Sequence, residues 1–128
     1  MEKLQRILYV EDDPDIRLIV KIALETLGSY TVAICNSGQE AINYAPQSDA
    51  QLILLDVMMP RVDGVMTLRQ LREIPQTSGI PVIFMTAKVQ PDEISHYQSL
   101  GAIAVIAKPF DPMQLVAEIE KHWVRYTG

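Results

Sequence analysis

The sequence predicts an α/β fold in which helices cover both faces of a five-stranded, doubly wound parallel sheet. Five short apolar runs rich in branched residues alternate with segments of helical period. Runs that are apolar almost throughout are typical of parallel strands buried on both faces. The chain has 128 residues, of which 48% are hydrophobic, so it can build one core but not a second folded domain. We therefore expect a single domain over residues 1–128.

Strands and helices are expected to alternate along the whole chain. The strands are predicted at Arg6–Val10, Tyr30–Ile34, Gln51–Leu55, Pro81–Met85 and Ile103–Ala107. The five helices are predicted at Pro14–Leu27, Gly38–Ala45, Gly64–Glu73, Pro91–Ser99 and Pro112 to about Arg125. A winding of five such units predicts the flavodoxin-like strand order 2-1-3-4-5, with helices on two faces.

Residues at the helix ends support these bounds. Asp13 and Asp111 each stand before a proline and are predicted N-caps, because a carboxylate can accept the first free N–H groups of a helix. Gly28 and Gly101 follow the last apolar positions of their helices, where a left-handed residue is common. Trp123, near the end of the last helix, is interpreted as a partly buried anchor for the terminal turn rather than as part of a docking surface.

The first helix has an apolar face wider than one sheet requires. Its buried stripe is expected to consist of Ile16, Ile19, Val20, Ala23, Leu24 and Leu27. Leu18 and Ile22 lie beside this stripe. Either neighbouring helices cover the excess or a partner docks on it, and we favour the first interpretation because scattered apolar surface is common.

Composition excludes several classes of function. Sixteen acidic against eleven basic side chains give a net charge of -5 without a Lys/Arg cluster, so direct binding of nucleic acid is disfavoured. No segment approaches the roughly twenty apolar residues of a membrane span, and the first residues do not resemble a signal peptide, so we expect a soluble, cytoplasmic protein. Cys35 is the single cysteine, which excludes an internal disulfide and a thiolate metal cluster. We interpret it as a small apolar residue closing a strand.

Acidic residues follow two strands that this winding makes neighbours. Glu11, Asp12 and Asp13 follow the first strand, and Asp56 follows the third. Ligands bind at the carboxyl ends of the strands in such sheets, where the winding direction reverses. Since Asp13 caps a helix, three carboxylates remain, and at about 4 Å they repel one another by several kcal/mol. Such a cluster takes up either a proton or a cation, and oxygen ligands favour a hard dication such as Mg²⁺.

The fourth and fifth strands end in residues that suit a phosphoryl group. Lys108 can neutralise a phosphoryl group as a compact cation, and Thr86 can donate a hydrogen bond to one of its oxygens. An aspartate can itself act as the nucleophile and form an acyl phosphate. Each signal alone is weak, but their joint position at the carboxyl ends of parallel strands indicates phosphoryl transfer.

These residues resemble the signature of response-regulator receiver domains, in the same order and over almost the whole chain. The motifs are Ile7-Leu8-Tyr9-Val10-Glu11-Asp12-Asp13-Pro14, Leu54-Leu55-Asp56-Val57-Met58-Met59-Pro60, Asp63-Gly64, Met85-Thr86-Ala87 and Lys108-Pro109-Phe110. The resemblance implies that Asp56 is the phosphoacceptor. It also implies an Mg²⁺ ion bound by Asp12, Asp56, the backbone carbonyl of Met58 and, mainly through ordered water, Glu11.

The resemblance further implies how the site is used. Thr86 and Lys108 would engage the phosphoryl group, which would come from a phosphohistidine on a sensor histidine kinase or a histidine phosphotransfer protein. The chain would be an acceptor and switch rather than a turnover enzyme, with no output domain and an unknown downstream protein target. The first helix would dock the donor, and the Lys108-Pro109 peptide bond would be cis. Val105 stands where relatives often carry an aromatic ring that turns inward.

Three other functions fit the sequence less well. An aspartyl-phosphate phosphatase typically has a second aspartate two residues after its nucleophile, whereas this chain has Met58. A degenerate receiver that only binds a partner would have no need of Asp12, Asp56, Thr86 and Lys108 together. Nucleotide binding is disfavoured because no glycine-rich loop follows the first strand.

Overall fold

The computed structural model describes residues 2–128 and has the predicted architecture. The strands are β1 (Arg6–Val10), β2 (Thr31–Cys35), β3 (Leu52–Asp56), β4 (Val82–Thr86) and β5 (Ala104–Ala107). The helices are α1 (Pro14–Ile22), α2 (Gly38–Tyr44), α3 (Gly64–Glu73), α4 (Pro91–Ser99) and α5 (Pro112–Thr127). A π-helical turn, Ala23–Leu27, extends α1, and a 3₁₀ turn, Ala45–Gln47, extends α2. All strand pairs are parallel in the order β2-β1-β3-β4-β5, which confirms the predicted topology.

Three strands lie one residue further along the chain than predicted. The predicted strands ended at Ile34, Leu55 and Met85, whereas β2, β3 and β4 each begin and end one residue later, at Cys35, Asp56 and Thr86. Main-chain groups form the ladder whatever the side chain, so a polar residue can complete a strand. Asp56 is in register with Met85, and Thr86 with Ala107. Two of the candidate site residues therefore belong to the sheet itself rather than to the loops after it.

Both predicted N-caps are confirmed. The Asp13 carboxylate accepts the N–H groups of Asp15 at 2.9 Å and Ile16 at 3.3 Å. The Asp111 carboxylate accepts the N–H of Met113 at 2.9 Å. Each aspartate thus satisfies backbone donors that the first helical turn leaves free.

The prediction of a left-handed glycine is confirmed at one of the two positions and wrong at the other. Gly101 has φ +113°, as expected, but Gly28 has φ -95° and the left-handed residue is Ser29, with φ +56°. Gly28 is instead required by space, since a Cβ there would lie 2.5 Å from the ring of Tyr30 and 2.9 Å from the carbonyl oxygen of Leu24. Close packing at this position, rather than backbone conformation, explains the glycine.

Two apolar cores lie on opposite faces of the sheet. The first lies between the sheet and the helices α1 and α5, and the second between the sheet and α2, α3 and α4. Cys35 is buried in the second core at the end of its strand, as predicted. Trp123 is buried in the first core and donates its indole N–H to the carbonyl of Glu2 at 2.9 Å, which confirms its interpretation as an anchor. The Lys108-Pro109 bond is cis, as predicted.

The buried stripe of the first helix is narrower than predicted. Val20 and Leu24 are buried, but Ile19 is 49% exposed and Leu27 is also exposed. Leu18 and Ile22, the residues beside the stripe, are exposed as well. Helix α5 packs against the Ala23–Leu27 turn and leaves the outer apolar positions uncovered. Neighbouring helices therefore do not cover the excess apolar face.

Among the helices of residues 2–128, none combines the length and the apolar character that a bilayer crossing requires.

Candidate functional site

Three carboxylates meet at the carboxyl edge of the two central strands. Asp56 is the last residue of β3, and Glu11 and Asp12 directly follow the neighbouring strand β1. One carboxylate oxygen from each of the three lies within 4.8 Å of the others. The strand register places them together, because Val10 is paired with Leu55 and the next residues, Glu11 and Asp56, therefore lie at the same level of the sheet. The predicted clustering of these side chains is therefore present in the structure.

Burial raises the free-energy cost of keeping these carboxylates charged. Glu11 is 1% exposed and Asp56 is 2% exposed, while Asp12 is half-buried. Burial raises the pKa of Asp56 to about 7, with a further upward contribution from the charge of Glu11, although the hydrogen bond from Lys108 opposes the shift. Two buried carboxylates this close require a cation or a proton to stabilise them.

Lys108 supplies one such cation. It follows β5, and its Nζ lies 2.9 Å from Oδ1 of Asp56 and 3.0 Å from Oε1 of Glu11. Burial lowers the pKa of Lys108, but hydrogen bonds and charge interactions with Asp56 and Glu11 outweigh burial, so the net pKa is raised. The Lys108 N–H donates to the carbonyl of Thr86 at 2.9 Å, which fixes the start of this loop beside β4. This lysine therefore forms ion pairs with both buried carboxylates.

Thr86 and Met58, the other candidate residues, lie at the same edge of the sheet. Thr86 is buried as the last residue of β4, and its hydroxyl accepts the N–H of Lys88 at 3.1 Å. A hydroxyl that accepts one bond still has its own proton to donate. Met58 lies two residues beyond Asp56, with its side chain exposed. Thr86 thus ends the strand beside the one that ends in Asp56, and Met58 lies two residues beyond Asp56 in the chain.

The sequence interpretation missed the groups that hold the loop carrying Glu11 and Asp12. The guanidinium of Arg17 donates to the carbonyl of Glu11 at 3.0 Å and to that of Asp12 at 3.4 Å. The hydroxyl of Tyr9 lies 3.2 Å from Oε1 of Glu11. Two signals were available, because Arg17 lies one turn into α1 and Tyr9 shares the strand face of Glu11 at a spacing of two.

Val105 does not bring an aromatic ring to this part of the sheet. It is partly buried against the second core and is paired with Phe84 of β4. The aromatic contact here comes from α4, where the ring of Tyr97 packs edge-on against Phe84 with centroids 5.3 Å apart. A ring is therefore present near β5, but it belongs to a helix rather than to the strand.

Comparisons with known proteins agree with this arrangement. The model of the response regulator receiver domain matches residues 7–120. Response regulator Rre1 of Synechocystis sp. is 38% identical over 112 residues, which cover 87% of this chain and 48% of Rre1. The DNA-binding dual master transcriptional regulator RpaA of the same organism is 39% identical over 89% of this chain and 47% of RpaA. The chain thus spans about half the length of these curated relatives.

Solved structures show the same fold over nearly their full length. The chemotaxis response regulator CheY4 of Vibrio cholerae superposes with a TM-score of 0.85 at 27% identity, covering 94% of this chain and 99% of CheY4. The receiver domain of the sensor histidine kinase PA1611 from Pseudomonas aeruginosa, solved with a magnesium ion coordinated in its active site cleft, has a TM-score of 0.81 at 28% identity and covers 96% of this chain and 99% of that domain. The family match, the fold and the clustered carboxylates lead to one conclusion: the chain belongs to the response-regulator receiver domains.

Proposed function

We propose that this receiver domain accepts a phosphoryl group on Asp56 in a reaction that depends on Mg²⁺. The observation that carries the proposal is the Asp56 carboxylate itself, which lies among two further carboxylates and 2.9 Å from the Lys108 ammonium. The Asp56 oxygen would form a bond to phosphorus while the bond from phosphorus to the donor's imidazole nitrogen breaks. This chemistry needs little beyond positioning and neutralisation of charge, and the described residues provide both.

The donor set fits a hard dication. It consists of carboxylate oxygens, with the Met58 carbonyl two residues beyond Asp56, and it is open enough at Asp12 to admit water. Asp12, Asp56 and the Met58 carbonyl would hold Mg²⁺ directly, and Glu11 would act mainly through water. When bound, the ion would neutralise charge on the transferring phosphoryl oxygens. Lys108 would then move toward the phosphoryl group, and the Thr86 hydroxyl would donate to one of its oxygens.

The domain would act as a self-modifying acceptor rather than as a turnover enzyme. A phosphatase of this kind typically has an acid/base carboxyl two residues after its nucleophile, where this chain has the apolar Met58. A module that only bound a partner would not need a partly buried Lys108 between two buried carboxylates, because taking these charges out of water is costly. Output through protein contact, without direct binding of nucleic acid, stays a prediction from the net charge of -5.

Intact-mass analysis after incubation with acetyl phosphate and Mg²⁺ tests the proposal. We expect the wild-type protein to gain one phosphoryl mass, and we expect no gain in EDTA or in Asp56→Asn, which keeps the size of the side chain but not the nucleophile. A folded wild-type protein that gained no mass, or an Asp56→Asn variant that gained it equally, would contradict the proposal.

We also propose that the phosphohistidine donor docks on the exposed face of α1. Two adjoining apolar grooves run along this helix, and the first, lined by Ile16, Ile19 and Phe110, reaches Lys108 at the site. The second continues past Ile22 toward the start of α5. Uncovered apolar residues in a continuous patch usually mark a protein interface. A donor helix seated here would bring its phosphohistidine to the edge of the acidic pocket.

Ile19→Glu should separate docking from chemistry. Ile19 lines both grooves and is half exposed, so a glutamate can be solvated without unfolding α1. We expect transfer from a phosphorylated histidine phosphotransfer protein to slow by about tenfold or more, as for loss of an apolar interface anchor. Phosphorylation by acetyl phosphate should change by less than about twofold. Val124→Glu is the matched control, since Val124 is also 49% exposed and lines neither groove. Equal slowing in both variants would rule out docking on α1.

A further inference from the structure

A buried phenol lies directly beneath the acidic pocket. Tyr9 is a residue of β1 with 0% exposure, and its ring belongs to the core between the sheet and the helices α1 and α5. Residues two apart in a strand point to the same face, so Tyr9 and Glu11 extend toward the same side of the sheet. The Tyr9 hydroxyl lies 3.2 Å from Oε1 of Glu11, the single hydrogen bond of this hydroxyl among the described residues.

Glu11 is held from three directions. The Tyr9 hydroxyl donates from the core, and the N–H of Asp13 donates to Oε2 at 3.3 Å from the loop after β1. Nζ of Lys108, in the loop after β5, donates to Oε1 at 3.0 Å. Lys108 is shared with Asp56, and it has a long flexible side chain that is 19% exposed. Tyr9 differs from Lys108 because its ring is fixed by the closed core. Of the two side-chain donors, the Tyr9 hydroxyl is therefore the one less able to follow a rotation of Glu11.

We propose that Tyr9 is a positioning residue for phosphoryl transfer, which acts by holding the Glu11 carboxylate toward the metal site. The inference rests on the proposed function. If Glu11 turned away, the Tyr9 hydroxyl would be left in the apolar core without an acceptor, which is costly for a buried donor. This cost ties Glu11 to one orientation even when Lys108 leaves it to engage a phosphoryl group. A phenylalanine would fill the same space but would lack this restraint.

Tyr9→Phe tests the inference by kinetics and metal titration. Measured by calorimetry with Mg²⁺ alone, the affinity should fall by about 3- to 10-fold, a range within the net contribution of one typical hydrogen bond, since other donors continue to hold Glu11. The maximal rate of phosphorylation by acetyl phosphate should fall by a similar factor. KM for acetyl phosphate should stay within about twofold, because neither Tyr9 nor Glu11 is placed to touch the donor.

Tyr30→Phe is the matched control. Tyr30 belongs to the same core, and its hydroxyl is buried without a hydrogen-bond partner among residues 2–128. Its removal should leave Mg²⁺ affinity and phosphorylation within about twofold of wild type. A purely structural role for a buried phenol would make the two variants alike, so equal behaviour of Tyr9→Phe and Tyr30→Phe would overturn the inference.

A second background tests whether Tyr9 acts through Glu11. In Glu11→Ala, the further change Tyr9→Phe should have no effect on Mg²⁺ affinity, because the acceptor of the hydroxyl is already gone. If the loss seen in the wild-type background persisted in Glu11→Ala, the inference would be overturned. Tyr9→Met, which lacks the hydroxyl and has a different shape, should reproduce the loss seen with phenylalanine. Failure of the proposed function can be distinguished from failure of the inference about Tyr9, since the wild-type protein itself would then gain no phosphoryl mass.

Discussion

Lys108→Met is expected to slow phosphoryl transfer to Asp56 strongly while strengthening the binding of Mg²⁺. Nζ of Lys108 lies 2.9 Å from Asp56 and 3.0 Å from Glu11, so in the metal-free protein the lysine occupies the electrostatic role that a dication would take. Removing it eliminates the competing cation, and the remaining carboxylates should bind Mg²⁺ about tenfold or more tightly. The same change removes the compact charge that would stabilise the transferring phosphoryl group, so the rate should fall by about 100-fold or more.

The same variant should be less stable without metal. Methionine leaves Glu11 and Asp56 buried without their cation, and loss of one partner from a buried ion pair typically costs about 3–5 kcal/mol. Partial protonation of Asp56 should reduce this cost, because burial and the Glu11 charge already raise its pKa. Urea unfolding with and without Mg²⁺ measures the effect, and added Mg²⁺ should restore most of the lost stability.

A matched variant separates local from global charge effects. Lys121→Met removes one positive charge from an exposed position on α5, so it changes the net charge of the protein equally. We expect it to leave Mg²⁺ affinity, phosphorylation and stability nearly unchanged. If Lys108→Met bound Mg²⁺ more weakly than wild type, the assignment of Lys108 as a competitor of the metal would be wrong.

The candidate site could be located from the sequence because the topology brings distant residues to one edge. Near-continuous apolar runs predicted parallel strands, and parallel strands end at a common edge, so Glu11, Asp56, Thr86 and Lys108 had to lie near one another. Their proximity could be predicted without knowledge of any individual side-chain contact. The predicted ends of β3 and β4 were one residue short, because a polar side chain such as that of Asp56 or Thr86 does not stop a backbone ladder.

Other features depend on packing that a single sequence does not reveal. The exposure of Ile19 follows from how much of α1 its neighbour α5 covers, and a helical apolar stripe contains no information about that neighbour. The hydrogen bond from Tyr9 to Glu11 depends on the depth at which the ring lies in the core. Likewise, the role of Gly28 is set by the position of the Tyr30 ring rather than by the conformation of its own backbone.

Gly64 sets the distance between α3 and the end of β3. A Cβ at this position would collide with the carbonyl oxygen of Asp56 and lie 2.7 Å from the Cα of Val57. Both obstacles are backbone atoms, so neither can move aside by rotating a side chain. The Gly64 N–H also donates to the carbonyl of Val57 at 2.9 Å, and the Asp63 carboxylate caps the same helix end through the N–H of Met66 at 2.9 Å. The start of α3 therefore packs directly against the backbone of Asp56, whose carboxylate is the proposed nucleophile.

Gly64→Ala is accordingly expected to damage both stability and phosphorylation. Relief of the collision requires either α3 or the Asp56 backbone to shift, and overpacking of this kind costs about 1–3 kcal/mol. Displacement of a reacting atom by about 1 Å can slow a reaction by about 100-fold. Gly79→Ala is the control, since a Cβ at Gly79 has no atom within 4 Å, and it should be neutral or slightly stabilising. Urea unfolding and phosphorylation by acetyl phosphate measure both effects. If Gly64→Ala matched Gly79→Ala in both, the loop after Asp56 would be more adaptable than its backbone contacts indicate, and close packing would not be what positions the nucleophile.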